Sequence, residues 1–136
     1  MARILGIDYG KKKTGLATTD PLQIIVTALD TVMTADLEDY LMNYTATESV
    51  EKIVIGRPTH KDGNDTYLVG DIMNFRSKMS KLLPEVVFDF ADEMYTSKQA
   101  KDIIFRSGVR KSKRRDKMII DKVSAVLILQ KYLRHI

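Results

Sequence analysis

Cysteine is absent from this chain of 136 residues, which excludes a disulfide framework, a thiolate zinc site and a cysteine nucleophile. No apolar run approaches the ~18 residues of a membrane-spanning helix. The start, Met1-Ala2-Arg3-Ile4, lacks the apolar core and cleavage site of a secretory signal. The expectation is a soluble, unprocessed, cytoplasmic protein with no membrane partner. Histidine is scarce, and His60 in a polar stretch and His135 near the end are poorly placed for a metal cluster. The excess charge is small, +4, and it is local. Between Arg106 and Lys117 seven basic residues stand against one acid, Asp116, leaving the rest of the chain slightly negative. No repeat, linker or low-complexity tract divides the chain. Its length suits a single domain, 1–136, able to bury most of its apolar surface.

What is present is an order of elements. Residues 2–8 and 14–19 read as strands joined by a lysine-rich hairpin, and 24–29 as a third strand after the Asp20-Pro21 turn. Three sequential strands imply an antiparallel meander. Thr34 is placed to N-cap a helix with Leu37, Tyr40, Leu41 and Tyr44 on one face. The run from Lys52 to Gly56 reads as a strand covered on both faces, as in a parallel pair reached by a helical crossover. A polar loop from Arg57 to Asp65 leads to a helix with Leu68, Ile72, Phe75, Met79 and Leu82 at helical period, ending at Leu83-Pro84. Residues 86–90 form a fifth strand, and Thr96 to Gln99 match a capping box opening a helix that Gly108 stops. A last, largely buried helix runs from about Asp116 to Leu133. The class is α/β: a mixed five-stranded sheet, a three-strand antiparallel meander plus two parallel strands, flanked by helices in the order of the ribonuclease H-like fold.

Asp8 ends the first strand, and Gly10 and Gly15 bracket the hairpin after it. Alone it fits two readings, an acid capping a turn or a metal ligand beside a core, where an unpaired carboxylate is costly. Parallel strands four and five would bring their carboxyl ends to the same edge. There Asp92 and Glu93 either complement a helix dipole or join Asp8. Asp121 shares its helical face with Ser124, Ala125 and Ile128, a face small enough near the acid to let another element come close. It is either an exposed first-turn acid or an inward one that needs a cation. Asp8, Glu93 and Asp121 at one sheet edge would make a hard-cation site, and oxygen-only ligands favour one or two Mg²⁺ or Mn²⁺ ions. Two such ions roughly 3.5–4 Å apart suit in-line hydrolysis of a phosphodiester with no protein nucleophile. Lys11, Lys12 and Lys13 beside Asp8, and Arg57 and Lys61 after strand four, are placed to reach phosphates at that edge. Arg110, Lys111, Lys113, Arg114 and Arg115 form a further phosphate-binding loop or, on the plainer reading, a solvated one.

Four stretches carry a resemblance in order and over nearly the whole chain: Gly6-Ile7-Asp8-Tyr9-Gly10 with Lys13, Gly15 and Ala17; Val54-Ile55-Gly56-Arg57-Pro58 with Asp62-Gly63; Asp92-Glu93 with Thr96 and Ala100; and Asp121 with Ala125. Together they resemble the YqgF (RuvX) family, described as pre-16S ribosomal RNA nucleases and as Holliday junction resolvase-like proteins of the ribonuclease H-like superfamily. The resemblance implies a divalent-metal-dependent nuclease, a hydrolase of ester bonds, in 5′-end maturation of pre-16S rRNA during ribosome biogenesis. Its partners would be pre-rRNA or a ribosomal subunit precursor, and Asp8, Glu93 and Asp121 match the acidic positions. Met94 stands where the family commonly carries arginine, and Lys13 where arginine is frequent, which removes a possible bidentate contact. A DNA junction resolvase with the same chemistry is the second reading and requires a dimer, where the nuclease is expected as a monomer or weak homodimer. A non-catalytic RNA- or ribosome-binding module is the third and would tolerate loss of Asp121. An ATP-binding domain of the actin and sugar-kinase type also starts Asp-x-Gly on a hairpin, but holds nucleotide between two domains where this length supplies one.

Overall fold

Alternation along the opening apolar run sends Leu5 and Ile7 to one side of a sheet and Ile4, Gly6 and Asp8 to the other. The computed structural model describes residues 2–57, 67–92 and 117–134, with Arg57, Tyr67, Leu68, Asp92 and residues 117–121 described by backbone alone. Five strands, β1 (Arg3–Asp8), β2 (Lys13–Thr19), β3 (Val26–Met33), β4 (Val50–Arg57) and β5 (Val87–Asp92), form one sheet in the order β3-β2-β1-β4-β5. The pairs β1–β2 and β2–β3 are antiparallel and β1–β4 and β4–β5 parallel, the mixed sheet expected from the element order.

The described helices are α1 (Leu37–Thr47), α2 (Tyr67–Leu82) and α3 (Lys117–Tyr132). Leu5 and Ile7 join Ile53, Ile55 and Phe88 in a core closed by Leu37 and Leu41 of α1 and by Ile72, Phe75 and Met79 of α2. The opposite face is built from smaller groups, Ala17 and Val54 with Ile4, against Ala125, Ile128 and Leu129 of α3. Small residues let α3 lie close. A Cβ placed on Gly6 would stand 2.5 Å from Leu129 Cγ and 3.1 Å from the Ala125 carbonyl oxygen, so only glycine fits beneath that turn.

Three local expectations are corrected. The third strand runs 26–33 rather than 24–29, because the Asp20 carboxylate accepts the N–H groups of Ile24 at 2.7 Å and Ile25 at 2.8 Å and holds both out of the ladder. Gln23, at φ 60°, completes that turn and ties it to the Ala2 carbonyl and the Glu51 carboxylate, leaving Leu22, Ile24 and Ile25 exposed. Thr34 caps no helix: a 3-10 turn, Thr34–Asp36, precedes α1, and its hydroxyl turns back to the β1–β2 hairpin. Leu82 at the end of α2 is exposed, and Leu83 packs on the core. Finally, β5 extends to Asp92, which therefore belongs to the sheet. The loop 58–66, the helix expected from Thr96 to Gly108 and the basic segment through residue 116 lie outside the described residues.

Candidate active site

Asp8 closes β1 and is 9 % exposed. Its register partner on β2 is Gly15, and on β4 the residue one step past the Ile7–Ile55 pair is Gly56, which in turn lies opposite Ala91 of β5. Facing residues on adjacent strands carry their Cβ atoms about 5 Å apart. With glycine on both sides, the sheet face around the carboxylate is cleared of neighbouring side chains from β2 and β4. Backbone alone thus provides room beside a buried acid.

α3 packs across the sheet, with contacts to all five strands. Ala125 and Leu129 lie over Gly6 of β1, and Tyr132 reaches Lys52 of β4 and Asp89 of β5. Asp121 is one turn before Ala125, about 6 Å along the helix axis, and Asp8 is two residues after Gly6, about 6.6 Å along the strand. Ser124, on the same stripe of α3, is fully buried and its Oγ has no hydrogen-bond partner. β5 ends at Asp92, and Glu93, the next residue, lies outside the described residues. Among the described residues no three histidine or carboxylate side chains gather into a cluster. The donor chemistry that is described, a buried carboxylate in a glycine-cleared cradle with an orphaned hydroxyl on the facing helix, fits a hard cation.

The basic hairpin lies beside this edge, with Lys11 and Lys12 exposed and Lys13 half-buried at the start of β2. Arg57 ends β4 with Asp92 as its register partner. Lys61, Arg110, Lys111, Lys113, Arg114 and Arg115 lie outside the described residues. Two groups of residues here carry no local sequence signal. Thr14 and Thr34 meet across the hairpin, 2.8 Å apart at their hydroxyls. Tyr9, one residue past Asp8, turns to the α2 face and packs on Phe75 with ring centroids 5.4 Å apart. Burial, and then the carboxylates of Asp71 and Glu38, push its hydroxyl above the usual phenol range. It borders an open cleft of about 320 Å³ shared with Thr34, Glu38, Asp71, Asn74 and Lys78.

At the carboxyl end of α3 another acid is handled differently. Lys52 Nζ donates to the Tyr132 hydroxyl at 2.9 Å, and that hydroxyl donates to Asp89 Oδ2 at 2.7 Å. The Tyr132 bond, then the Phe90 N–H, holds the Asp89 carboxyl below its ordinary value, and the same hydroxyl raises Lys52.

A family model, RuvX, described as Holliday junction resolvase, matches residues 2–135. The chain belongs to the RuvX family. Curated relatives named "Putative pre-16S rRNA nuclease" include one from Porphyromonas gingivalis, 45% identical over 133 residues, 98% of this chain and 96% of the relative. Another, from Phocaeicola vulgatus, is 41% identical over the same shares. Among solved structures, T. thermophilus RuvC in complex with a Holliday junction substrate aligns at a TM-score of 0.60 with 17% identity, covering 99% of this chain and 96% of that one. The fowlpox virus resolvase with Holliday junction DNA aligns at 0.58 with 12% identity, covering 98% and 97%. At such identities the likeness is one of fold, and it is the ribonuclease H-like fold that the element order predicts. A RuvX-family chain, as a member of a nuclease and resolvase family, is a hydrolase acting on phosphodiester bonds. No helix among the described residues is long and apolar enough to cross a membrane.

Proposed function

We propose that this chain is a single-domain, divalent-metal-dependent nuclease that acts in the cytoplasm on the 5′ end of pre-16S rRNA, the RNA that its relatives' names give as substrate. What supports this most is Asp8, a buried carboxylate at the end of the central strand with glycine on both flanking strands. Asp8, Glu93 and Asp121 would hold Mg²⁺ or Mn²⁺, one or two ions; such ions, when bound, supply an activated water and stabilise charge on the leaving oxygen. The rest falls to the chain. β1 fixes the direction of Asp8, and Gly15 and Gly56 leave space in which a phosphate can approach it. Lys11, Lys12 and Lys13, with Arg57, Lys61 and Arg110, Lys111, Lys113, Arg114 and Arg115, contact backbone phosphates and position the strand without reading its bases.

The test is cleavage of a pre-16S rRNA 5′ leader by purified protein in Mg²⁺ or Mn²⁺. Cleavage that chelation abolishes and metal restores, and that Asp8→Asn removes, is the expected result. Activity retained by Asp8→Asn ends the assignment. A second reading rests on the description of the matching family, which names Holliday junctions: preferential cleavage of a four-way DNA junction by a protein of dimeric solution mass would favour it. RNA binding without cleavage of either substrate would identify a non-catalytic ribosome-binding module.

A further inference from the structure

We propose that Thr34 is a positioning residue for substrate binding, holding the Lys11 to Lys13 hairpin in the shape in which its ammonium groups meet nucleic-acid phosphates. The inference rests on the reading of that hairpin as a phosphate contact. Thr34 is the first residue after β3, and it grips the hairpin twice. Its backbone N–H donates to the Lys12 carbonyl at 2.8 Å, and its hydroxyl donates to the Gly10 carbonyl at 2.7 Å. Because that hydroxyl has one proton, spent on Gly10, the 2.8 Å contact between the two threonine hydroxyls has Thr14 as donor. Thr14 Oγ1 in turn accepts the Gly10 N–H at 3.5 Å. The bonds close a ring from the Gly10 N–H through Thr14 and Thr34 back to the Gly10 carbonyl, so both polar backbone groups of one residue are fixed by two side chains.

The turn at Gly10 is wound so tightly that a Cβ there would run into the Lys13 carbonyl oxygen, so only glycine fits at that point. Thr14 is fully buried, whereas Lys11 and Lys12, between the two ends of the ring, are exposed. Three consecutive like charges repel, and a loop that must be ordered on binding loses affinity to entropy. The threonine ring orders the backbone beforehand. Neither threonine is charged, and both hydroxyls are spent on the ring, so their influence on phosphate passes through the lysines they position.

A double-mutant cycle on the full chain tests this. The probe is a fluorescently labelled single-stranded RNA oligonucleotide, with anisotropy measured over a range of salt in EDTA so that nothing is cleaved. Thr34→Val keeps the shape and removes the hydroxyl; it should weaken binding by about three- to tenfold, the value of one modest hydrogen bond. It should also flatten the salt dependence, and Thr34→Ser should restore both. In a Lys11→Ala, Lys12→Ala, Lys13→Ala background, Thr34→Val should cause no further loss. Full-strength binding by Thr34→Val while the lysine variant is weakened overturns the role of Thr34 and leaves the hairpin reading intact. An equal loss in both backgrounds also overturns it. Undiminished binding by the triple lysine variant removes the hairpin reading and this proposal with it, independently of whether the protein cleaves RNA. Should Thr34→Val fail to fold, Thr34→Ala and Thr14→Val open the same ring and decide by the same criteria.

Discussion

The face of the sheet beneath α3 holds two acids, and the chain treats them in opposite ways. Asp89 is exposed and held in a chain of hydrogen bonds through Tyr132 to Lys52, with an ordinary cationic partner nearby. Asp8 is buried between strands that offer glycine at its level. The first arrangement fastens the carboxyl end of a helix to the sheet. The second leaves room for something from outside the sheet. Two aspartates on one face of the sheet thus have different surroundings, and residue type alone would not separate them.

Three substitutions set the two acids against each other. Asp8→Asn should have the largest effect, abolishing cleavage by more than the ~10–100-fold typical of residues behind a metal's ligands, with the thermal midpoint preserved. If cleavage survived, the two acids would be equivalent and the comparison would fail. Gly6→Ala comes next. The added methyl meets Leu129 and the Ala125 backbone, so denaturant unfolding should show a loss of about 1–3 kcal/mol. Displacement of α3 should also raise the metal concentration needed for half-maximal cleavage, which a loss of stability alone would leave unchanged.

Tyr132→Phe should matter least, costing about 1 kcal/mol or less because Asp89 is exposed and solvent screens the pair. Cleavage in saturating metal should be unaltered. Its pH dependence has a definite sign. Asp89 lies below its ordinary value of 3.8 when folded, so its contribution is complete above that pH and is lost as pH falls through the folded value. Lys52 lies above its ordinary 10.5, so its share is complete below that pH and is lost as pH rises through the raised value. The stability gap between wild type and Tyr132→Phe should therefore be widest between these limits and close at both extremes.

Much of this was legible in the residues, for a physical reason. Patterns that depend on near neighbours read correctly: the apolar run that forms a strand ending in Asp8, the helical spacing of Ile72, Phe75 and Met79, and the small face of Ala125 that permits close approach. What could not be read depends on pairs far apart in the chain. Ile24 and Ile25 look like strand until the Asp20 carboxylate takes their N–H groups. Thr34 looks like a cap, a short-range role, until the hairpin 24 residues earlier supplies a better acceptor. The glycines show the same division. Gly10 is intelligible as a turn, but the reason for Gly6 is Leu129, on a helix at the other end of the sequence. Of the proposed ligands, Asp8 alone has a described side chain, and Asp121 is described only by its backbone within α3.

The strand order has a consequence for how the molecule comes apart. β1 is the middle member of five, paired on both edges and covered on both faces. Local openings begin where strands have one neighbour, and amides in a central strand exchange with solvent only when the whole domain opens. Hydrogen exchange should therefore find the Ile7 amide among the slowest in the protein, and β3 and β5 among the first strands to fray. A molecule losing its margins to heat or denaturant would keep the acid in place until the final cooperative step.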